Sequence, residues 1–162
     1  AVGPACASVK DVAHSLRTTA TGFGTSGTKW TVDFGVLVQG DSTNDDLVDI
    51  RDFGQFAGDY GTGKLANSRS NYNGDATVDS ADLTFISVNF FRVGTSCSSM
   101  WHSPALASIT VKELRRMGLG DLAVADINRD GRVDGADIAA FLRGVRAGEA
   151  TRNAGAGGDA VQ

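Results

Sequence analysis

The chain has 162 residues, 41 % of them hydrophobic and 21 % charged, with 19 Asp plus Glu against 15 Lys plus Arg. That length suits one or two small domains, and an acidic balance without basic and aromatic interleaving argues against a nucleic-acid partner. No apolar run reaches the roughly 18 residues that a membrane-spanning helix needs. The chain starts at Ala1 without Met or a signal peptide, as a processed product or an excised piece would.

Residues 9–19 are a weak strand candidate, with Val12, His14, Leu16 and Thr18 on one face. The Gly/Thr-rich segment Thr21–Thr28 reads as a hairpin loop. Residues 28–39 are a strong strand candidate: Trp30, Val32, Phe34, Val36 and Val38 alternate with Thr31, Asp33, Gly35, Leu37 and Gln39. Two strands alone are marginal in water, so their apolar face needs helices, more strands or another molecule.

From residue 41 onward one twelve-residue pattern occurs three times, at 41–52, 71–82 and 126–137. Twelve of the 19 acidic residues lie inside these segments. A loop of this kind presents oxygens at positions 1, 3, 5, 7, 9 and 12, as a hard cation such as Ca²⁺ requires. In the first loop the expected ligands are Asp41, Thr43, Asp45, the Leu47 carbonyl, Asp49 and Asp52. Asp46 at position 6 must adopt a left-handed conformation, which Asp tolerates better than most residues. In the second they are Asn71, Asn73, Asp75, the Thr77 carbonyl, Asp79 and Asp82. Asn71 at position 1 and Ala76 at position 6 predict weaker binding, since ligand charge helps set affinity. In the third they are Asp126, Asn128, Asp130, the Arg132 carbonyl, Asp134 and Asp137, with Gly131 at position 6 allowing the sharp turn. Up to three Ca²⁺ ions are expected.

Each loop feeds a short amphipathic helix. Phe53, Phe56, Ala57 and Tyr60 follow the first, with Gly58 and Gly61 ending it. Leu83, Ile86 and Phe90 follow the second, and Ile138, Phe141, Leu142 and Val145 the third, all at helical spacing. Val48, Val78 and Val133 fall at position 8, where paired loops commonly bridge through a short strand contact. Thr110 and Glu113 form a capping-box pattern before the third loop, with Gly118 as the C-terminal cap. Asp121 is placed to cap a short turn over Leu122–Ala125. The Ser-rich stretch 95–108 reads as a linker, and the Gly/Ala-rich tail 149–162 as mobile unless held by a partner. A disulfide between Cys6 and Cys97 is favoured over free or intermolecular thiols, given the calcium loops and expected export. By chain entropy such a ring stabilises by about 4–5 kcal/mol at most.

These loops resemble the duplicated loop-helix repeat of type I dockerin domains. That family carries Asp-x-Asn-x-Asp-Gly-x-Val/Ile-x-x-x-Asp before an apolar helix, with Asp at position 12 and no entering helix. Asp52, Asp82 and Asp137 match at position 12. Residues 40–94 resemble a complete pair, and the third unit resembles an extra EF-hand-like copy. The Trp30–Gly35 segment is similar to the β-rich ends that precede such pairs in large exported bacterial proteins. The resemblance implies a cohesin-like partner contacted through positions 10 and 11. Those are Ile50/Arg51, Ser80/Ala81 and Gly135/Ala136, and only Ser80/Ala81 is similar to the small or hydroxyl pairs typical of the family.

Other signals are set aside. Gly22-x-Gly24-x-x-Gly27 precedes a strand, whereas a dinucleotide fingerprint follows one. Gly58-x-x-x-x-Gly63-Lys64 continues with Leu65 where a phosphate loop needs Ser or Thr. His14 and His102 have no ligand cluster around them. The acids sit in binding loops, so an acid pair for glycoside hydrolysis has no independent support. The phenylalanines Phe53, Phe56, Phe85, Phe90, Phe91 and Phe141 read as core, with one of the adjacent pair Phe90 and Phe91 facing a partner.

The expectation is therefore an α+β chain: a β segment over 1–39, a dockerin-like pair over 40–94, a linker over 95–108, a third unit over 109–148 and a tail over 149–162. Its expected role is non-catalytic, extracellular, calcium-dependent protein assembly on a cell surface. A structural subunit of a calcium-stabilised filament or surface layer, polymerising through strand exchange, is the alternative. A non-catalytic end of a secreted enzyme is a weaker one.

Overall fold

The computed structural model describes residues 4–62, 68–98 and 104–144. It combines short helices with two-stranded antiparallel sheets, an α+β chain as expected. β1 (Ala7–Val9) pairs with β2 (Thr18–Ala20), and β3 (Gly24–Ser26) with β4 (Lys29–Thr31). The α-helices are α1 (Ile50–Asp59), α2 (Ser80–Asn89), α3 (Val111–Arg116) and α4 over 135–144. A 3-10 helix runs over Gly120–Ala125, and β5 (Ile109–Thr110) pairs with β6 (Arg132–Val133). No described helix is long and apolar enough to cross a membrane.

The N-terminal region departs from its sequence pattern. The alternation over 28–39 yields only the three residues of β4 and an isolated bridge between Ser15 and Gln39. Both strands of the β3–β4 hairpin are solvent-exposed, and Val36 is 93 % exposed. Alternation makes a strand only where a neighbour buries one face, and no described segment covers this one. The first strand and the turn of the hairpin form inside the expected loop, with Gly27 at φ +62°, and β4 is the start of the expected strand. Likewise, 9–19 is not one strand: β1 ends at Val9, a turn follows, and β2 begins at Thr18.

α1 lies at the centre of the core. Ile50, Phe53 and Phe56 are fully buried, sharing a cluster with Leu83 and Ile86 of α2, Leu122 and Ala125 of the 3-10 helix, and Leu114 of α3. Phe141 of α4 stacks edge-on against Phe53, Phe56 and Tyr60, with ring centroids 5.9, 5.5 and 4.7 Å apart. Gly54 lets the 3-10 helix come close: a Cβ there would lie 2.9 Å from the Leu122 Cβ. Gly58 does not end α1, which continues to Asp59. Phe85 and Phe90 pack against the core, whereas Phe91 is half exposed with φ +67°.

Cys6 and Cys97 form the expected disulfide, with Cα atoms 5.7 Å apart. Beside it the Thr95 amide donates to the Arg17 carbonyl, and the Thr19 amide to Thr95 Oγ1. In α3 the capping box is formed: Thr110 Oγ1 accepts from the Glu113 amide, and Glu113 accepts from the Thr110 amide. Gly118 ends it with φ +76°, while the Gly118 and Leu119 amides return to the Arg115 and Leu114 carbonyls, a Schellman pattern. Asp121 lies within the 3-10 helix rather than capping it; Leu119 is the cap residue, without a side-chain bond. Val145, His102, the Gly63-Lys64 pair and the tail lie outside the described residues.

Candidate metal centres

The three loops share one hydrogen-bond skeleton. In each, the position-12 carboxylate spreads its oxygens across the turn. One oxygen of Asp52 accepts from the Asp49 amide (2.8 Å) and the other from the Thr43 amide (3.0 Å). Asp82 accepts from the Asp79 amide, and from Tyr72 and Asn73. Asp137 accepts from the Asp134 amide, and from Ile127 and Asn128. All three position-12 carboxylates are fully buried. The position-9 carboxylates of Asp49, Asp79 and Asp134 accept from the amide two residues on. Positions 9 and 12 thus act as N-cap and N3 of a capping box for the helix that follows.

The first and third loops also match at position 1. Asp41 accepts from the Asp45 and Asp46 amides, one on each oxygen, and Asp126 from the Asp130 and Gly131 amides. Residue 6 is left-handed in both, with φ +63° at Asp46 and +88° at Gly131. In the second loop, position 1 is Asn71, which has one acceptor oxygen. That oxygen takes the Gly74 amide, and its NH₂ donates to the Asp75 carbonyl at 2.6 Å. Position 4 is left-handed in all three, at Asn44, Gly74 and Arg129. Nothing in an arginine's identity announces that conformation.

The loops differ in burial and in what neutralises them. In the third, Asn128, Asp130 and Arg132 are exposed and Asp126 and Asp134 half-buried. A carboxylate offers about four acceptor sites, and two amides occupy Asp126. Arg132 turns outward: its Nη2 donates to Ser108 Oγ at 2.6 Å, and its Nε lies 3.8 Å from Asp134. This donor set fits a hard dication: Asp126, Asn128, Asp130, the Arg132 carbonyl, Asp134 and Asp137 would hold it. The second loop fits less well, through Asn71, with Asn73, Asp75, the Thr77 carbonyl, Asp79 and Asp82 as donors.

The first loop is buried and already holds cations. Lys10 Nζ lies 2.6 Å from Asp41 Oδ2 and 2.8 Å from Asp46 Oδ1, and its side chain is 4 % exposed. Arg51 Nη2 lies 2.7 Å from both Asp45 Oδ2 and Asp49 Oδ2. Asp49 also accepts the Leu106 amide at 2.9 Å, tying the 104–108 stretch to the loop. Burial pushes the Asp52 carboxyl up to about 8, against backbone hydrogen bonds from Asp49 and Thr43. Burial also raises Asp45, only partly offset by the Arg51 charge. Lys10 was invisible as a partner in the sequence because 31 residues separate it from Asp41. With these cations in place, the first loop does not fit a further dication.

Position 8 does not join the loops to one another in the bonds described. Val48 exchanges backbone bonds with the segment after α2: its amide donates to the Arg92 carbonyl, and the Phe91 amide donates to its carbonyl. Val133 pairs with Ile109, and Val78 accepts from the Gly61 amide at 3.5 Å. Among the described residues no three His, Cys, Asp or Glu side chains converge as a preformed cluster. The carboxylates turn instead toward the loop amides. Comparison with protein-family models, with curated proteins and with solved structures finds no match.

Proposed function

We propose that the chain is a non-catalytic, exported calcium-binding module for protein assembly, similar to a dockerin pair with an extra repeat. The observation that supports this most is the same skeleton at three places, with oxygen side chains at positions 1, 3 and 5. A capping box needs only positions 9 and 12. It gives no reason for Asp126, Asn128 and Asp130 to recur in register on a solvent-facing turn. Calcium, when bound, supplies the charge that lets clustered carboxylates share one small volume. The chain's own part is to pre-shape the loop: position 4 is left-handed in all three loops, position 6 in the first and third, and the position-12 carboxylate is locked by two backbone amides in the first loop and three in the others.

A second reading is favoured by one observation. The β3–β4 ribbon is exposed along both strands, and Val36 and Val88 stand exposed on either side of a groove lined by 36–39 and α2. An exposed strand edge can be completed by a neighbour's segment. That would make the chain a subunit of a calcium-stabilised extracellular filament or layer, with identical subunits as partners rather than a cohesin-like receptor.

Chelation tests the calcium reading. Ion binding to the native state alone stabilises by about 2.7 kcal/mol at a hundredfold excess over Kd. The thermal midpoint is expected to fall and helical circular dichroism to decrease when EDTA replaces calcium. An unchanged melt and spectrum would overturn it. Sizing of the same samples separates the two roles: calcium-dependent polymers favour the subunit, a stable monomer the docking module.

A further inference from the structure

The first loop carries five carboxylates, more than either of the others, yet its own side chains fill the place of a cation. Arg51 stands at position 11, where the other loops have Ala81 and Ala136. From there its guanidinium reaches back into the turn. Nη2 bridges the position-5 and position-9 carboxylates at 2.7 Å each, and Nε lies 3.1 and 3.2 Å from the two oxygens of Asp49. These are two of the groups that would coordinate a metal. On the outer side Lys10 holds Asp41 and Asp46, and Arg17 Nε lies 3.2 Å from Asp46 Oδ2.

Three features distinguish this arrangement from a passing surface ion pair. Asp49 is fully buried and the Arg51 side chain is 11 % exposed. The bidentate fork between Arg51 and Asp49 fixes the guanidinium plane. Asp49 is itself anchored, capping α1 and accepting the Leu106 amide. A dication entering the loop would have to displace this guanidinium, whereas Lys10 takes only Oδ2 of Asp41, whose Oδ1 accepts the Asp45 amide.

We propose that Arg51 is a built-in cation that takes the place of calcium in the first loop. That loop is then closed at every calcium concentration, and only 71–82 and 126–137 respond to the ion. The inference rests on the calcium reading of those two loops for its physiological meaning, but Arg51 can be tested without it.

The experiment is calcium titration of the full chain by calorimetry, in wild type and Arg51→Ala, which restores the alanine found at position 11 of the other loops. Wild type is expected to take two ions per chain and the variant one more. An equal count in the two proteins overturns the proposal, as does a wild-type count of three. If wild type takes none and the variant takes one, the role of Arg51 stands and the calcium reading of the other loops fails. Should Arg51→Ala not fold, the wild-type Arg51 Nε–H resonance decides. It is expected to keep its chemical shift and slow exchange when calcium replaces EDTA, and its loss on calcium addition overturns the proposal.

Discussion

Loops 41–52 and 126–137 turn the same way at positions 4 and 6 and lock their position-12 carboxylates on equivalent amides. The first is buried, with Lys10, Arg17 and Arg51 on its carboxylates. The third is largely exposed, and Arg132, the cation described beside its carboxylates, sits 3.8 Å from Asp134 with its side chain 49 % exposed. One backbone design is therefore closed by the protein's own charges in one place and left open in another. Burial forces that difference. A carboxylate in solvent needs no partner, whereas a buried one without a counter-charge is costly.

The widest gap is expected at position 9. Asp49→Ala removes the bidentate partner of Arg51, leaving it only Asp45, and strips the Leu106 amide of its acceptor; removing one member of a buried ion pair costs about 3–5 kcal/mol. The matching Asp134→Ala should cost about 1 kcal/mol, as a lost helix cap does. Urea unfolding of the two variants measures both, and equal losses would erase the contrast.

A smaller effect is expected at Asp46. Burial pushes its carboxyl up, but hydrogen bonds from Lys10 and from the Arg17 amide, with the Lys10 charge, outweigh it and hold the carboxyl below its usual range. A depressed carboxylate stabilises above its unfolded pKa of about 4 and loses that contribution as pH falls through the folded value. Asp46→Asn should cost about 1–3 kcal/mol at neutral pH, as charged hydrogen bonds do. The gap from wild type should close on acidification below about pH 4. A gap independent of pH would mean that Asp46 acts by shape alone.

The smallest effect belongs to the unit that carries the third loop. Thr110→Ala removes an exposed capping box and should cost about 1 kcal/mol, seen as a modest drop in thermal midpoint. A loss as large as that of Asp49→Ala would place α3 among the braced parts of the molecule.

The helical half of the fold was legible because its signals are local. Phe53 and Phe56 announce α1, Leu83 and Ile86 announce α2, and Thr110, Glu113 and Gly118 mark both ends of α3. The strand pattern over 28–39 misled because alternation only describes a face that some neighbour must cover. Position-8 pairing went astray for a related reason: Val48 and Val133 find backbone partners elsewhere in the chain, Val48 in Phe91 and Arg92 and Val133 in the strand residue Ile109. In the three loops, the spacing made the recurrence of one turn readable, with position 12 bonded back to the amides of positions 3 and 9. Arg51 was visible only as an unusual position-11 residue, and its inward reach depends on the buried Asp49. Lys10 and Arg17 gave no signal, since their partners lie about thirty residues away.

The bridge between Cys6 and Cys97 also bears on how the molecule would respond to pulling. It spans 91 positions and encloses the first two loops with α1 and α2. Tension applied near the two ends of the chain crosses from Cys6 to Cys97 through sulfur. The enclosed segment, which at about 3.3 Å per residue could otherwise release roughly 300 Å of slack, adds no length. Only the stretch beyond Cys97 can extend, and it carries the third loop. The exposed loop is thus the element placed to yield first under load, while the braced one stays shielded inside a covalent ring.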